Sequence, residues 1–137
     1  MNILITGSNG FIGKNFKYFL RTKKRINILE HKRNNSKTLL LKKLNKADVI
    51  LHFAGENRSN KKENFLKNNF ELSKLISENA KSNSLIIFSS TTKINENTNY
   101  GISKIKAEKI LKKNKKKKNY NLIILRLTNV FGKWSKP

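Results

Sequence analysis

Ile3-Leu4-Ile5-Thr6-Gly7-Ser8-Asn9-Gly10-Phe11-Ile12-Gly13 opens the chain with a short apolar run that breaks into three glycines spaced three apart. Behind them, Phe11, Ile12, Phe16, Phe19 and Leu20 recur at helical spacing, so the stretch predicts a strand, a tight turn and a helix buried on one side. In such a unit Gly7 allows the sharp exit from the strand, Gly10 lets the backbone approach a pyrophosphate, and Gly13 permits close packing of helix on strand. The helix N-terminus then presents backbone N–H groups to an anion. The spacing G-x-x-G-x-x-G is one residue longer than G-x-G-x-x-G. Gly13-Lys14-Asn15 also lacks the Gly-Lys-Ser/Thr ending of a triphosphate-binding loop. The turn therefore points to a dinucleotide, against the plainer reading of a glycine-rich corner with no ligand.

Apolar runs and helical stretches alternate along the rest of the chain, which is the pattern of βαβ units and a parallel sheet. Strands are expected at 2–6, 26–30, 49–53, 85–89 and 122–127. Helices are expected at 11–22, 37–45, 61–81 and 100–113. The second helix should bury Leu40, Leu41 and Leu44, the third Phe65, Leu66, Phe70, Leu72, Leu75 and Ile76, and the fourth Ile102, Ile105, Ile110 and Leu111. Later strands read as nearly continuous apolar runs, as when helices cover both faces of a sheet. The fold class is thus α/β, a Rossmann-like doubly wound parallel sheet of about five strands. At 137 residues, one domain spanning the whole sequence is expected.

The formal net charge of +23 raises nucleic-acid binding as a possibility, with affinity that would fall steeply with salt. The make-up of the charge argues against it. Arg21, Arg25, Arg33, Arg58 and Arg126 are the only arginines among 31 basic residues, and the lysine excess travels with Asn and Ile. Phosphate recognition would favour Arg and aromatic platforms. The dense run Lys112-Lys113-Asn114-Lys115-Lys116-Lys117-Lys118 reads as a solvated loop beyond a helix end, where cations suit the helix dipole. Cysteine is absent, which removes disulfides and thiolate chemistry, and the two histidines lie far apart, so no metal site is expected. No apolar run approaches the roughly 18 residues of a membrane span, and the N-terminus enters a strand directly, so no membrane association and a cytoplasmic location are expected.

Tyr100-Gly101-Ile102-Ser103-Lys104 carries the second chemical signal. Tyr and Lys at i and i+4 share one helix face, so the Lys104 ammonium should sit near the Tyr100 phenol and draw its pKa, ordinarily about 10, toward neutrality. A phenol so placed moves a proton to or from a neighbouring oxygen. Thr91, at the end of the fourth strand, would hydrogen-bond the same oxygen, with Ser90 as the fallback and Thr92 a weaker one. Taken alone, the pair reads as an amphipathic helix start with an exposed lysine, because such pairs are common by chance.

Together these segments resemble the extended short-chain dehydrogenase/reductases, which act on nucleotide sugars as epimerases, dehydratases and reductases. Thr6–Gly13 resembles that family's T-G-x-x-G-F-I-G turn, His52-Phe53-Ala54-Gly55 its H-x-A-G strand end, and Ser89-Ser90-Thr91 its S-S-[ST] strand end. Tyr100–Lys104 resembles its Y-x-x-x-K pair and Arg126–Gly132 its R-x-x-N-V-[YF]-G segment. Ala54–Arg58 and Phe131–Pro137 are similar to the capsular polysaccharide reductase subgroup, understood to reduce a UDP-linked 4-keto-hexosamine with NADPH. The resemblance implies hydride transfer to a sugar keto carbon, with Tyr100 as proton donor, Thr91 beside it, and Lys104 also holding the nicotinamide ribose. It further implies cofactor contacts from Gly7, Asn9, Gly10, Phe11, Ile12, Phe53, Ala54, Gly55 and Ser89. His52 is read as a packed, hydrogen-bonded residue without a catalytic role, while Asn57, Arg58, Asn129 and Trp134 stay open as contacts or solvated residues.

For the cofactor, an acidic residue about 20 positions beyond the glycine turn favours NAD(H), and a nearby Arg favours NADP(H). Glu30 offers the first and His31-Lys32-Arg33 the second. The resemblance favours NADP(H) with Arg33 as the phosphate ligand, NAD(H) remaining possible. Against the family pattern, 31–47 has room for a single helix, so the short strand that helps hold adenine is expected to be missing. The family's substrate domain is expected to lie outside this stretch, leaving an incomplete UDP-sugar site and either a homodimer or a complementing C-terminal half as partner.

Overall fold

The computed structural model describes residues 1–134, and Ser135, Lys136 and Pro137 at the end of the Phe131–Pro137 segment lie outside the described residues. Five parallel strands, β1 (Asn2–Thr6), β2 (Asn27–His31), β3 (Val49–His52), β4 (Leu85–Thr91) and β5 (Asn121–Leu127), form one sheet in the order β2-β1-β3-β4-β5. The chain leaves β1 toward β2 on one side and later returns to β3 on the other. The carboxyl end of β1 is therefore the switch point at which α/β sheets open a crevice for ligands.

The glycine turn builds that point. Gly7 has φ +71°, and a Cβ there would lie 2.7 Å from the Ala54 backbone nitrogen. A Cβ on Gly13 would lie 2.2 Å from the Gly7 carbonyl oxygen, so α1 (Phe11–Arg21) can approach β1 only because this position has no side chain. Between Glu30 and Asp48 stands one helix, α2 (Lys37–Lys46), started by Ser36, whose hydroxyl accepts from the Leu39 amide at 3.2 Å.

Leu40 and Leu44 of α2, Ile76 of α4 (Leu72–Asn79), and Ala107 and Leu111 of α5 (Asn99–Lys118) pack with Leu4, Ile50, Ile86 and Phe88 into the main core. Among the described residues, only α1 reaches the opposite face, where Leu20 packs with Ile3, Ile5 and Leu51. Expected cover on both faces is thus partial. Side chains alternate along a strand, and Leu122 and Ile124 join the main core, so Ile123 and Leu125 of β5 point to the α1 side, where they are 45% and 37% exposed. For the same reason Phe16 and Phe19 of α1, expected to be buried, are exposed: the sheet covers one flank of that stripe, and among the described residues no helix covers the other.

Two helices depart from expectation. The span predicted as one helix at 61–81 is α3 (Lys62–Phe65), a π-helical segment at Leu66–Glu71, and α4. The Lys112–Lys118 run is helical, not a loop: α5 continues to Lys118 because Asn114 is buried and donates to Ser77 Oγ at 2.8 Å, and Asn119 then ends the helix in the left-handed conformation. Ile102, expected inside, is exposed, since α5 buries Ser103, Lys104, Ala107, Glu108, Leu111 and Asn114 instead. Among the described residues no helix is long and apolar enough to cross a membrane.

Phe88→Ala should cost about 3–5 kcal/mol by emptying the centre of the core, whereas Phe19→Ala should change stability by less than about 0.5 kcal/mol. Urea unfolding followed by circular dichroism measures both; equal losses would contradict the one-sided placement of α1.

Candidate functional site

The strand ends around the switch point supply the site: the glycine turn after β1, His31 to Arg33 after β2, Phe53 to Arg58 after β3, and Ser89 to Thr91 closing β4. The α1 N-terminus faces the turn with no capping side chain and no acidic residue in its first turn, and its first amides have no intrahelical acceptor. Beside it, among the described residues, neither the buried Ser8 Oγ nor His31 Nδ1 makes a hydrogen bond of ordinary geometry, although the Ser8 hydroxyl lies close enough to the Glu30 carboxylate to help lower its pKa. Open amides, two buried polar atoms without an ordinary hydrogen bond and a glycine cradle fit an anionic, hydroxyl-bearing group such as a dinucleotide.

His52 is fully buried. Its Nδ1 lies 2.8 Å from Thr6 Oγ1 and its Nε2 2.8 Å from Ser73 Oγ. The Ser73 hydroxyl is used in donating to the Asn69 carbonyl at 2.6 Å, so it accepts from His52 Nε2–H. Thr6 accepts from the Ala54 amide at 3.3 Å and donates to Nδ1, which assigns the imidazole as neutral with its proton on Nε2. Burial, with the Lys104 charge adding to it, lowers the His52 pKa to about 3. The packed, hydrogen-bonded role expected for His52 is what the geometry shows.

The π-helical segment places Asn69 at the next junction. Its Oδ1 accepts from the Glu56 amide at 2.8 Å, and its Nδ2 donates to the Glu56 carbonyl at 2.9 Å and to Ser103 Oγ at 2.9 Å. Ser103 in turn donates to the Tyr100 carbonyl at 2.7 Å. One buried chain of hydrogen bonds thus runs from the β1 exit through β3 and the Glu56 loop to the Tyr100 turn.

Lys104 is 4% exposed, donates to the Ser89 carbonyl at 2.8 Å and stands over the Phe88 ring at 4.7 Å. Burial lowers its pKa to about 8, with Glu108 acting against the shift, so it carries its charge at neutral pH. Its Nζ is 6.0 Å from the centre of the half-buried Tyr100 ring. Burial raises the Tyr100 pKa, and the nearby Thr91 hydroxyl only partly opposes that rise. The expected pull on the phenol toward neutrality is therefore not present in this geometry: the ammonium is engaged at Ser89, and desolvation dominates.

Ser90 faces away. Its hydroxyl donates to Glu108 at 2.6 Å, and Arg126 holds the same carboxylate at 3.0 and 2.8 Å, tying β4, α5 and β5 together. That leaves Thr91 as the hydroxyl beside Tyr100; it also accepts from the Lys93 amide at 3.2 Å. Ser89 gives its carbonyl to Lys104 and its hydroxyl to the His52 carbonyl at 3.3 Å. Glu30 pairs with Lys17 at 3.1 Å and Arg21 at 3.7 Å on α1, whereas Arg33 pairs across the crevice with Glu56 at 3.0 Å. Asn9, Asn57, Arg58, Asn129 and Trp134 are exposed, and Phe11, Ile12, Phe53 and Ala54 are half-buried around the turn. Asn69, Ser73, Ser103 and Glu108 are site residues that helical periodicity missed; their signal is a polar residue at a position whose helical neighbours point inward.

Residues 3–137 match the NAD dependent epimerase/dehydratase family, and the chain belongs to it. It is 35% identical over its whole length to the UDP-2-acetamido-2,6-beta-L-arabino-hexul-4-ose reductase of Pseudomonas aeruginosa, spanning 38% of that protein. Among solved structures, the capsular polysaccharide assembling protein CapF of Staphylococcus aureus superposes with a TM-score of 0.82 at 35% identity, all of this chain matching 38% of that one. UDP-glucuronic acid 4-epimerase from Bacillus cereus, solved with NAD, gives 0.82 at 18% identity over 96% of this chain and 58% of its own, which shows the shared fold.

Unfolded histidine protonates near pH 6.5, but folded His52 stays neutral down to about 3, so stability is full above 6.5 and falls as pH drops through that window. Between pH 6.5 and 5 the loss should follow a slope of up to about 1.4 kcal/mol per pH unit from this group, His31, also lowered by burial, adding a share. Urea midpoints across that range should show a shallower slope for His52→Gln, and unchanged slopes would contradict a neutral buried imidazole.

Proposed function

We propose that this chain forms the cofactor half of a cytoplasmic nucleotide-sugar oxidoreductase that reduces a UDP-linked 4-keto-hexosamine for capsule or surface polysaccharide. The observation that carries the reading is Lys104 Nζ standing 6.0 Å from the centre of the Tyr100 ring with the Thr91 hydroxyl near the phenol, supported by 35% identity to a UDP-sugar reductase. NADP(H) is the favoured cofactor, with Arg33 as ligand of its extra phosphate, and NAD(H) the alternative. Gly7, Asn9, Gly10, Phe11 and Ile12 would hold the pyrophosphate, Phe53, Ala54, Gly55 and Ser89 would line its path, and Lys104 would hold the nicotinamide ribose. The bound cofactor supplies hydride.

The chain's own residues supply the proton and its placement. Tyr100 would donate its proton to the oxygen that becomes an alkoxide. Thr91 orients the same oxygen, and the Lys104 charge stabilises the phenolate left behind. To hold a ribose hydroxyl, Lys104 would share the ammonium that now donates to the Ser89 carbonyl. Because the chain spans 38% of the reductase it resembles, the sugar site would be completed by a C-terminal half or a second copy. A second reading, a dinucleotide-binding module without turnover, is favoured by the unlowered phenol.

Fluorescence titration at near-physiological salt should show NADPH binding that weakens about tenfold or more in Arg33→Ala and stays within about threefold in Tyr100→Phe. NADPH oxidation on a UDP-linked 4-keto-hexosamine should disappear in Tyr100→Phe. Binding without any turnover would support the silent module; binding of neither nucleotide would overturn both readings.

A further inference from the structure

The Arg33–Glu56 pair spans the crevice at the carboxyl end of β1, because Arg33 follows β2, Glu56 follows β3, and β1 lies between those strands. Its two halves are built differently. Glu56 is fixed: Asn69 holds both its amide and its carbonyl, Asn68 Nδ2 donates to its carboxylate at 3.3 Å, and its side chain is 18% exposed. Arg33 is 74% exposed, and its guanidinium reaches in to the carboxylate at 3.0 Å. An exposed arginine in one ion pair is held weakly and can exchange partners. A phosphate monoester, with more than one negative charge and three acceptor oxygens, is a stronger partner for a guanidinium than a carboxylate is.

We propose that Glu56 is a specificity-determining residue of the cofactor site, competing for Arg33 with the ribose phosphate that distinguishes NADPH from NADH. The inference rests on the reading of this crevice as a nicotinamide dinucleotide site. When NADPH binds, Arg33 turns from Glu56 to the phosphate, and the clamped carboxylate cannot follow. NADPH therefore bears the loss of the ion pair, whereas NADH leaves it intact. Glu56 narrows the preference for NADPH that His31, Lys32 and Arg33 would otherwise create.

Glu56→Gln keeps an acceptor for Asn68 and removes the charge. Fluorescence titrations of the wild type, Glu56→Gln, Arg33→Ala and the double variant, each checked for unchanged circular dichroism, test the idea. Glu56→Gln should tighten NADPH roughly threefold to tenfold and change NADH less than about twofold, and the NADPH gain should vanish in the Arg33→Ala background. Equal gains for both nucleotides, no gain for NADPH, or a gain that survives loss of Arg33 would each overturn the proposal. If NADPH binds and weakens in Arg33→Ala while Glu56→Gln has no effect, the cofactor reading stands and this inference alone fails. Binding of neither nucleotide by any variant overturns the cofactor reading and the inference with it.

Discussion

A neutral imidazole with both nitrogens satisfied is the constraint on which the site depends. His52 can stay uncharged in the core only because Thr6 donates to one nitrogen and Ser73 accepts from the other. Those same hydroxyls hold the Ala54 amide and the Asn69 carbonyl. The β1 exit, the β3 exit and the π-helical segment are thereby set at one distance from each other. Asn69 extends the registration to the Glu56 loop and, through Ser103, to the turn carrying Tyr100. A buried network with every member paired is rigid, because any displacement leaves a polar group without a partner in a low-dielectric interior.

The same economy of burial explains the charges. Lys104 keeps its ammonium in the core with a carbonyl and an aromatic face rather than a carboxylate. Glu108, one turn further along α5, is largely buried too, but Arg126 and Ser90 hold its oxygens, with Lys112 at 3.8 Å, so burial raises its pKa less than these partners lower it. The first group is bound to a backbone carbonyl of β4, and the second anchors β5 to the helix. Their separation by four residues puts both on one face of α5.

The sheet is dressed unequally. Among the described residues, three helices bury one face while α1 alone reaches the other, and Ile123, Leu125, Phe16 and Phe19 are exposed.

Much of the fold was legible before any coordinate. All five strands lie within two residues of their predicted ends, since short apolar runs bounded by turn residues and alternating with helical stripes have few other solutions. The glycine turn was legible for a steric reason: at Gly7 and Gly13 any side chain would strike backbone. Tyr100 and Lys104 were found by spacing and likeness. Only the tertiary structure decided what the polar residues of α5 and the π-helical segment do, because helical periodicity sorts apolar from polar and places Asn69, Ser103 and Glu108 in solvent. Burial reverses that expectation where partners remote in the chain satisfy the group, the Glu56 loop for Asn69, Asn69 for Ser103, and Ser90 and Arg126 for Glu108, and such partners cannot be read from a helix's own sequence. The direction of the Tyr100 shift, the helical course of Lys112–Lys118 and the Arg33–Glu56 pair were settled in the same way, by desolvation and by contacts between residues remote in the chain.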